Sequence, residues 1–159
     1  MNEITNLEIP AIQIEKLDLS SLESIWNLPV ADLLKLEAKL CLNLTWPTRE
    51  DDPRELSEIP ECRLWSLRAD ALCPWLPLIL ERSSGQLSRH IAMLIPHSFS
   101  KTEGIKFNDD ALSLWVSHRL FLLDHWSQMH GYLIRPNLSR MVEVIGYELD
   151  QSFWPADNQ

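Results

Sequence analysis

Asn108-Asp109-Asp110-Ala111-Leu112-Ser113-Leu114-Trp115-Val116-Ser117-His118-Arg119-Leu120-Phe121-Leu122-Leu123-Asp124-His125-Trp126-Ser127-Gln128-Met129-His130-Gly131 carries the fullest set of helix signals in the chain. Asn108 is a favoured N-cap, and Asp109 and Asp110 put negative charge in a first turn, where the helix dipole welcomes it. Gly131 supplies the C-terminal stop. Between these ends Ala111, Leu112, Trp115, Val116, Leu120, Leu122, Leu123, Trp126 and Met129 nearly encircle the segment. The spacing predicts a long helix over about 109–130, apolar on most sides and therefore central and buried.

Downstream, a last helix is expected over 138–145, capped by Asn137 and stopped by Gly146. The tail Phe153-Trp154-Pro155 either packs back or is free. Upstream, Ser84-Gly85 breaks the chain before a helix over 86–94, which Pro96 ends. Pro74-Trp75-Leu76-Pro77 opens a short apolar helix reaching about Glu81. The stretch 97–107 reads as an irregular loop. Residues 62–70 are two-sided: Leu64 and Leu67 suit a helix, whereas Cys62, Leu64 and Ser66 suit a strand face. Residues 46–61 form an acidic loop, either a solvated linker or an electrostatic docking strip for a basic partner. A helix is expected from Pro29 to Asn43, but Leu36–Leu44 also alternates at period two, so its end stays open. Residues 1–19 alternate weakly and suit a short strand. The fold class is mainly α in a single domain over 1–159, with a small β-sheet near 6–19 and 59–68 in the N-terminal half (α+β).

Composition narrows the function. A chain of 159 residues buries roughly 70% of its unfolded surface, enough for a core without disulfides or metal. The net charge of −9 argues against a dedicated nucleic-acid binder. Residues 1–61 hold 5 Lys/Arg against 13 Asp/Glu, and the remainder holds 9 against 10. The acidity is therefore concentrated in the first third. Cys41, Cys62 and Cys73 are odd in number and form no C-x-x-C pair, which suits a reducing compartment and small buried thiols. The start Met1–Asn6 lacks the character of a leader, and no long uncharged apolar run suggests a membrane span. A cytoplasmic protein without stable membrane insertion is the expectation.

No catalytic signature is present: no G-x-S-x-G, no P-loop, no dinucleotide fingerprint, no H-E-x-x-H. His118 and His125, seven apart, share a helix face without the i, i+4 pairing of a metal site, and Pro96 separates His90 from His97. No cofactor is expected. Three functional classes stay open. One is a protein-binding role. A second is a small enzyme with an acid/base site around Asp70, His97 and Glu103. A third is a helical binder of a small ligand with tryptophan walls. The Trp/Arg pattern favours the first, because these residues dominate interface hot spots when they reach the surface. The 7 tryptophans are many for one small core, so one or two are expected at a partner surface. Alanine at Trp75 or Arg89 is then expected to weaken binding more than stability.

From residue 59 to 150 the text resembles a known family. It begins Ile59-Pro60-Glu61 and runs through Arg63-Leu64-Trp65, Arg68, Asp70, Pro74-Trp75-Leu76-Pro77, Gly85, Leu87 and Arg89. It continues through Ala92-Met93-Leu94-Ile95-Pro96-His97, Phe99-Ser100-Lys101-Thr102-Glu103-Gly104-Ile105 and Phe107-Asn108. Phe121, Trp126 and Gly146-Tyr147-Glu148-Leu149-Asp150 close it. This resembles the chlororespiratory reduction six family of cyanobacteria and chloroplasts. The resemblance implies a non-enzymatic assembly factor for the photosynthetic NDH-1 complex, with the iron–sulfur I subunit as its protein client. The lack of a transit peptide fits a cyanobacterial member. Cys62, Ser66, Ala69 and Ser83-Ser84 depart from the family's pattern, and residues 1–58 carry little of it, which leaves room for a paralogue with another client. The partner-binding candidates are Trp65, Arg68, Asp70, Trp75, Arg89, His97, Phe99 and Glu103.

Overall fold

A computed structural model describes residues 3–52 and 54–155; Met1, Asn2, Pro53 and the last four residues, each touched by one of the expectations above, lie outside the described set. The described residues form eight α-helices and two small sheets, an α+β fold dominated by helix. Strand β1 (Thr5–Pro10) pairs in parallel with β2 (Leu40–Thr45), in register from Thr5↔Leu40 to Pro10↔Thr45. Three short helices make the crossover: α1 (Ala11–Glu15), α2 (Glu23–Trp26) and α3 (Val30–Lys35). A parallel pair needs such a crossover because a tight hairpin cannot join its ends.

The N-terminal sheet is where expectation and structure part most. The helix expected to run to Asn43 stops at Lys35, and Ala38 takes a left-handed φ of 57° that turns the chain into β2. The alternation of Leu40, Leu42 and Leu44 then puts Leu40 and Leu42 into the core. The expected second strand at 59–68 is helical: α4 spans Pro60–Leu72, with Pro60 in the first turn, where its missing N–H has no intrahelical partner to lose.

Next come α5 (Leu76–Ile79) and α6 (Gln86–Leu94), the latter matching the expected span. Gly85 at φ 80° precedes α6, a conformation that favours glycine. The expected loop 97–107 is a hairpin of β3 (His97–Ser100) and β4 (Gly104–Phe107). Its three-residue connection ends on Gly104 at φ 74°, and the Ser100 hydroxyl accepts from the Thr102 and Glu103 amides, both at 3.3 Å. Both strands are four residues long and only partly buried, and the alternation Ile105-Lys106-Phe107 is too brief to announce a strand by itself.

The long helix α7 spans Asp109–Met129 and α8 spans Arg135–Glu143. Helix α8 starts earlier than expected because Pro136 fits its first turn, and Asn137 donates to Glu37 instead of capping. Helix α7 is less enclosed than its composition suggests. Leu112, Val116, Leu120 and Leu123 face the core, while Leu114 and Met129 are 74% and 72% exposed. The tail packs back: Phe153 stacks on Phe121 at 5.2 Å, and Trp154 lies over the Arg135 guanidinium at 5.1 Å.

Buried ion pairs lock the helices together. The Arg135 guanidinium grips Asp124 through two bonds of 2.9 and 3.2 Å, joining α7 to α8. Glu37 accepts from Arg82, Arg140 and Asn137, tying the turn after α3 to the chain following α5 and to α8. At the centre Asp70 of α4, 3% exposed, accepts from Arg119 of α7 and from His90 Nε2 of α6 at 3.2 Å. The arginine lies over the Trp115 ring at 5.9 Å.

Two outcomes follow from the central cluster. Arg119→Met keeps an apolar stem but leaves the Asp70 carboxylate without its cation; the unfolding free energy in urea should fall by about 3 kcal/mol. A loss below about 1 kcal/mol would show that His90 alone satisfies the carboxylate. Burial pushes the His90 imidazole down to about 4, against about 6.5 when unfolded. The unfolded chain therefore binds more protons in this interval, so the stabilisation is complete above about pH 6.5 and is lost as pH falls towards 4, by about 2 kcal/mol at pH 5. His90→Gln keeps a donor for Asp70 without titrating; its melting temperature should fall less between pH 7 and pH 5 than that of the parent protein. Parallel declines would place the titration elsewhere.

Candidate functional site

Arg89 lies on the outer side of α6 at the meeting point of three depressions. Helix α6 buries Leu87, His90, Ile91 and Met93. One helical step from His90, Arg89 is left exposed, and no ion pair engages it among the described residues. On one side a cavity of about 190 Å³ separates α6 from β2, with Leu42 and Leu44 on one wall, Gln86, Arg89 and Met93 on the other, and Ser66 and His90 also lining it. On the other side an open groove of about 630 Å³ runs between α6, the hairpin and the end of α8, lined by Phe99, Ile105, Phe107 and Val144. A third depression of about 260 Å³ lies under the segment Arg54–Ser57.

Gln86 positions the first wall: its side-chain oxygen accepts the Leu42 amide at 3.2 Å, where a neighbouring strand would otherwise bond. The 3₁₀ turn Leu56–Glu58 supplies Leu56 to the cavity and Ser57 to His97. Arg54 is gripped by Asp52 at 2.6 Å, which leaves Arg89 as the uncommitted guanidinium along these walls.

The structure separates the residues singled out from sequence. Arg89 and Phe99 line the same open groove. Arg68 is exposed on α4. Glu103 is exposed in the hairpin turn and pairs with Lys106. His97 is fixed on both ring nitrogens, by Ser57 at 2.9 Å and the Ile95 carbonyl at 3.2 Å. Trp65, Trp75 and Asp70 are buried, and in this conformation they reach no partner surface. The Trp65 indole N–H donates to the Asp18 carbonyl at 2.9 Å, a core anchor between α4 and the segment after α1. The burial of Trp75 does not suit the expectation that alanine there weakens binding more than stability. Leu42, Leu44, Gln86 and Met93 were missed, because they come together only once β2 and α6 are placed side by side. Gln86 directly after Gly85 was the one local sign of a helix start facing something.

Asp70, His97 and Glu103 each have separate partners and form no common cluster. Among the described residues no group of three or more His, Cys, Asp or Glu side chains is arranged to hold a metal ion. All three cysteines are free. Burial, with a smaller contribution from Glu61 at Cys62, pushes the Cys62 and Cys73 thiols up to about 11, which keeps them protonated and weakly nucleophilic near neutral pH. No tryptophan lines the three depressions around Arg89.

Arg89→Ala should therefore change the unfolding free energy by no more than about 0.5 kcal/mol, as is usual at exposed sites. Trp75→Ala should lower it by about 3–5 kcal/mol through lost packing. Urea melts of the two variants check this contrast, and equal losses would mean that Arg89 is a structural residue.

No solved structure matches the chain. No helix among the described residues is long and apolar enough to cross a membrane. A family model described as chlororespiratory reduction 6 matches residues 9–156, beyond the stretch 59–150 on both sides. The upstream extension agrees with the packing, since Ile9, Ile14, Leu22 and Leu40 lie in the same core as α4, α6 and α7. With nearly its whole length matched, the chain belongs to the chlororespiratory reduction 6 family.

Proposed function

We propose that this protein binds the iron–sulfur I subunit of the photosynthetic NDH-1 complex while the peripheral arm is being assembled, and releases it when the subunit docks. The family match carries this reading, because membership implies a role in NDH-1 assembly. Two structural observations favour a polypeptide-binding role over catalysis. The residues put forward for acid/base chemistry are dispersed among structural partners, and the feature left open is a set of grooves around an uncommitted arginine. Grooves of this kind receive polypeptide, and an arginine at their meeting point is a typical anchor.

The mechanism is shielding. An iron–sulfur subunit lacking its neighbours exposes apolar and charged surface that its mature interfaces will cover. A soluble partner covers that surface temporarily if its affinity is moderate and its contacts are confined to one or two grooves. Phe99, exposed beside Arg89, supplies apolar area at the rim. The acidic segment 46–61 lies along the same side through Glu55 and Leu56 and adds charge selectivity. Arg68, Arg89, Phe99 and Glu103 are the exposed contact candidates.

Retention of client from native extract tests the reading. Tagged protein at low salt should retain the I subunit in excess over other NDH-1 subunits, as read by mass spectrometry. Retention of the whole complex in mature stoichiometry, or of no NDH-1 subunit by well-folded protein, would overturn it.

A further inference from the structure

We infer that the outer edge of β2 accepts an added strand from the partner: an extended acidic segment that bonds to the main chain of Leu42 and Leu44 and places a carboxylate on Arg89. This names the kind of segment the assembly role would recognise and rests on that reading.

The direction of the strand's polar groups follows from its bonds. Thr5 donates to the Lys39 carbonyl at 2.9 Å, so Lys39, Cys41 and Asn43 point towards β1. The alternate residues point away. The Leu40 carbonyl accepts from Glu81 at 3.0 Å, and the Leu42 amide donates to Gln86 at 3.2 Å. By the same alternation the Leu42 carbonyl and both polar groups of Leu44 face outwards, and no bond to them is found among the described residues. They border the cavity of about 190 Å³ that Arg89 also lines.

Three features select the occupant. The edge is bridged in parallel by Leu80 at Leu40, and beyond that bridge the groups left at Leu42 and Leu44 are ones that an extended peptide satisfies. The cavity is smaller than the roughly 300–1,000 Å³ typical of small-molecule sites, yet accepts a side chain from a strand lying along its rim. Arg89 has no ion-pair partner among the described residues, and Glu55, the carboxylate that shares two of its depressions, is not bonded to it, so an incoming carboxylate meets an unpaired guanidinium. Arg89 matches a carboxylate in bidentate geometry, which a neutral or basic segment cannot offer. Gln86 holds the edge in the free protein and would release Leu42 to the incoming strand.

The test uses two probes on the full chain. Random ten-residue peptides displayed on phage are selected against the parent protein, and the enriched peptides are synthesised. Enriched sequences should carry Asp or Glu, and Arg89→Glu should weaken them at least tenfold in fluorescence anisotropy while the melting temperature holds. Methylating alternate backbone nitrogens of a bound peptide should abolish binding at every second position only, a signature of strand pairing that leaves the protein unaltered. No enrichment, enriched peptides indifferent to Arg89→Glu, or a methylation pattern without the two-residue period would overturn the inference. The second probe is the isolated I subunit. If it binds the parent and Arg89→Glu equally, the edge site is wrong while the assembly reading stands. If acidic peptides bind as described but the subunit does not, the edge site stands and the client is wrong.

Discussion

The carboxylate of Asp70 dictates how three helices of this fold can meet. It sits nearly without solvent between three helices, with Arg119 as its cation and His90 as its second donor. A carboxylate so placed is tolerable only when both oxygens are satisfied, and here each partner arrives on a different helix. The relative placement of α4, α6 and α7 is fixed by that requirement rather than by apolar packing alone, which is compatible with several helix arrangements. His90 stays neutral because burial disfavours its charged form, so the cluster holds one anion and one cation. The position of Arg89 is inherited from this arrangement: with His90 turned inwards to Asp70, the preceding residue of α6 faces outwards over β2.

Much of the helical skeleton was legible because its signals are local. Asn108 with Asp109-Asp110 marks the start of α7, and the residues bounded by Gly85 and Pro96 give α6 at its observed limits. What escaped depends on partners distant in sequence. Strand β2 follows a left-handed Ala38, which no side-chain pattern announces, and it is a strand only because β1 lies beside it. The hairpin at 97–107 turns on Ser100 hydroxyl bonds and Gly104, and its apolar residues Phe99, Ile105 and Phe107 are too few for a recognisable strand pattern. Asp70 drew notice as a candidate acid/base group beside His97 and Glu103, yet its cation is Arg119, forty-nine positions along. Residue types identify which groups need partners; only the fold says which partners they find.

The same distinction separates the two kinds of tryptophan and arginine in the candidate surface. Trp65 and Trp75 are anchors of the interior, whereas Trp26, Trp46, Trp115, Trp126 and Trp154 are only partly buried and pack against it from outside. Among the arginines, Arg82, Arg119, Arg135 and Arg140 each bond to a carboxylate of this chain. Arg89 does not, nor do Arg49, Arg63 and Arg68 among the described residues, but Arg89 stands where two grooves and a cavity meet. Its significance comes from this contrast: in an acidic chain that satisfies most of its buried cations internally, a guanidinium left open beside apolar walls is a place where an outside carboxylate gains more than it would from water.

An open strand edge is a hazard for a free protein, since any extended chain can pair with it. Several features keep β2 harmless. The strand is six residues long, too short to template aggregation by itself. Glu81 covers its first outward carbonyl, and the Gln86 side chain covers the next amide. Asn43 and Glu8 bond across the solvent face of the sheet at 2.7 Å, which keeps that face polar. The remaining outward groups, at Leu42 and Leu44, are those beside Arg89. Pairing at this edge is therefore restricted to a segment that is both extended and negatively charged at one position. Main-chain bonds would supply affinity with little dependence on sequence, and the single cation would supply selectivity, a division that would suit the transient client binding proposed above.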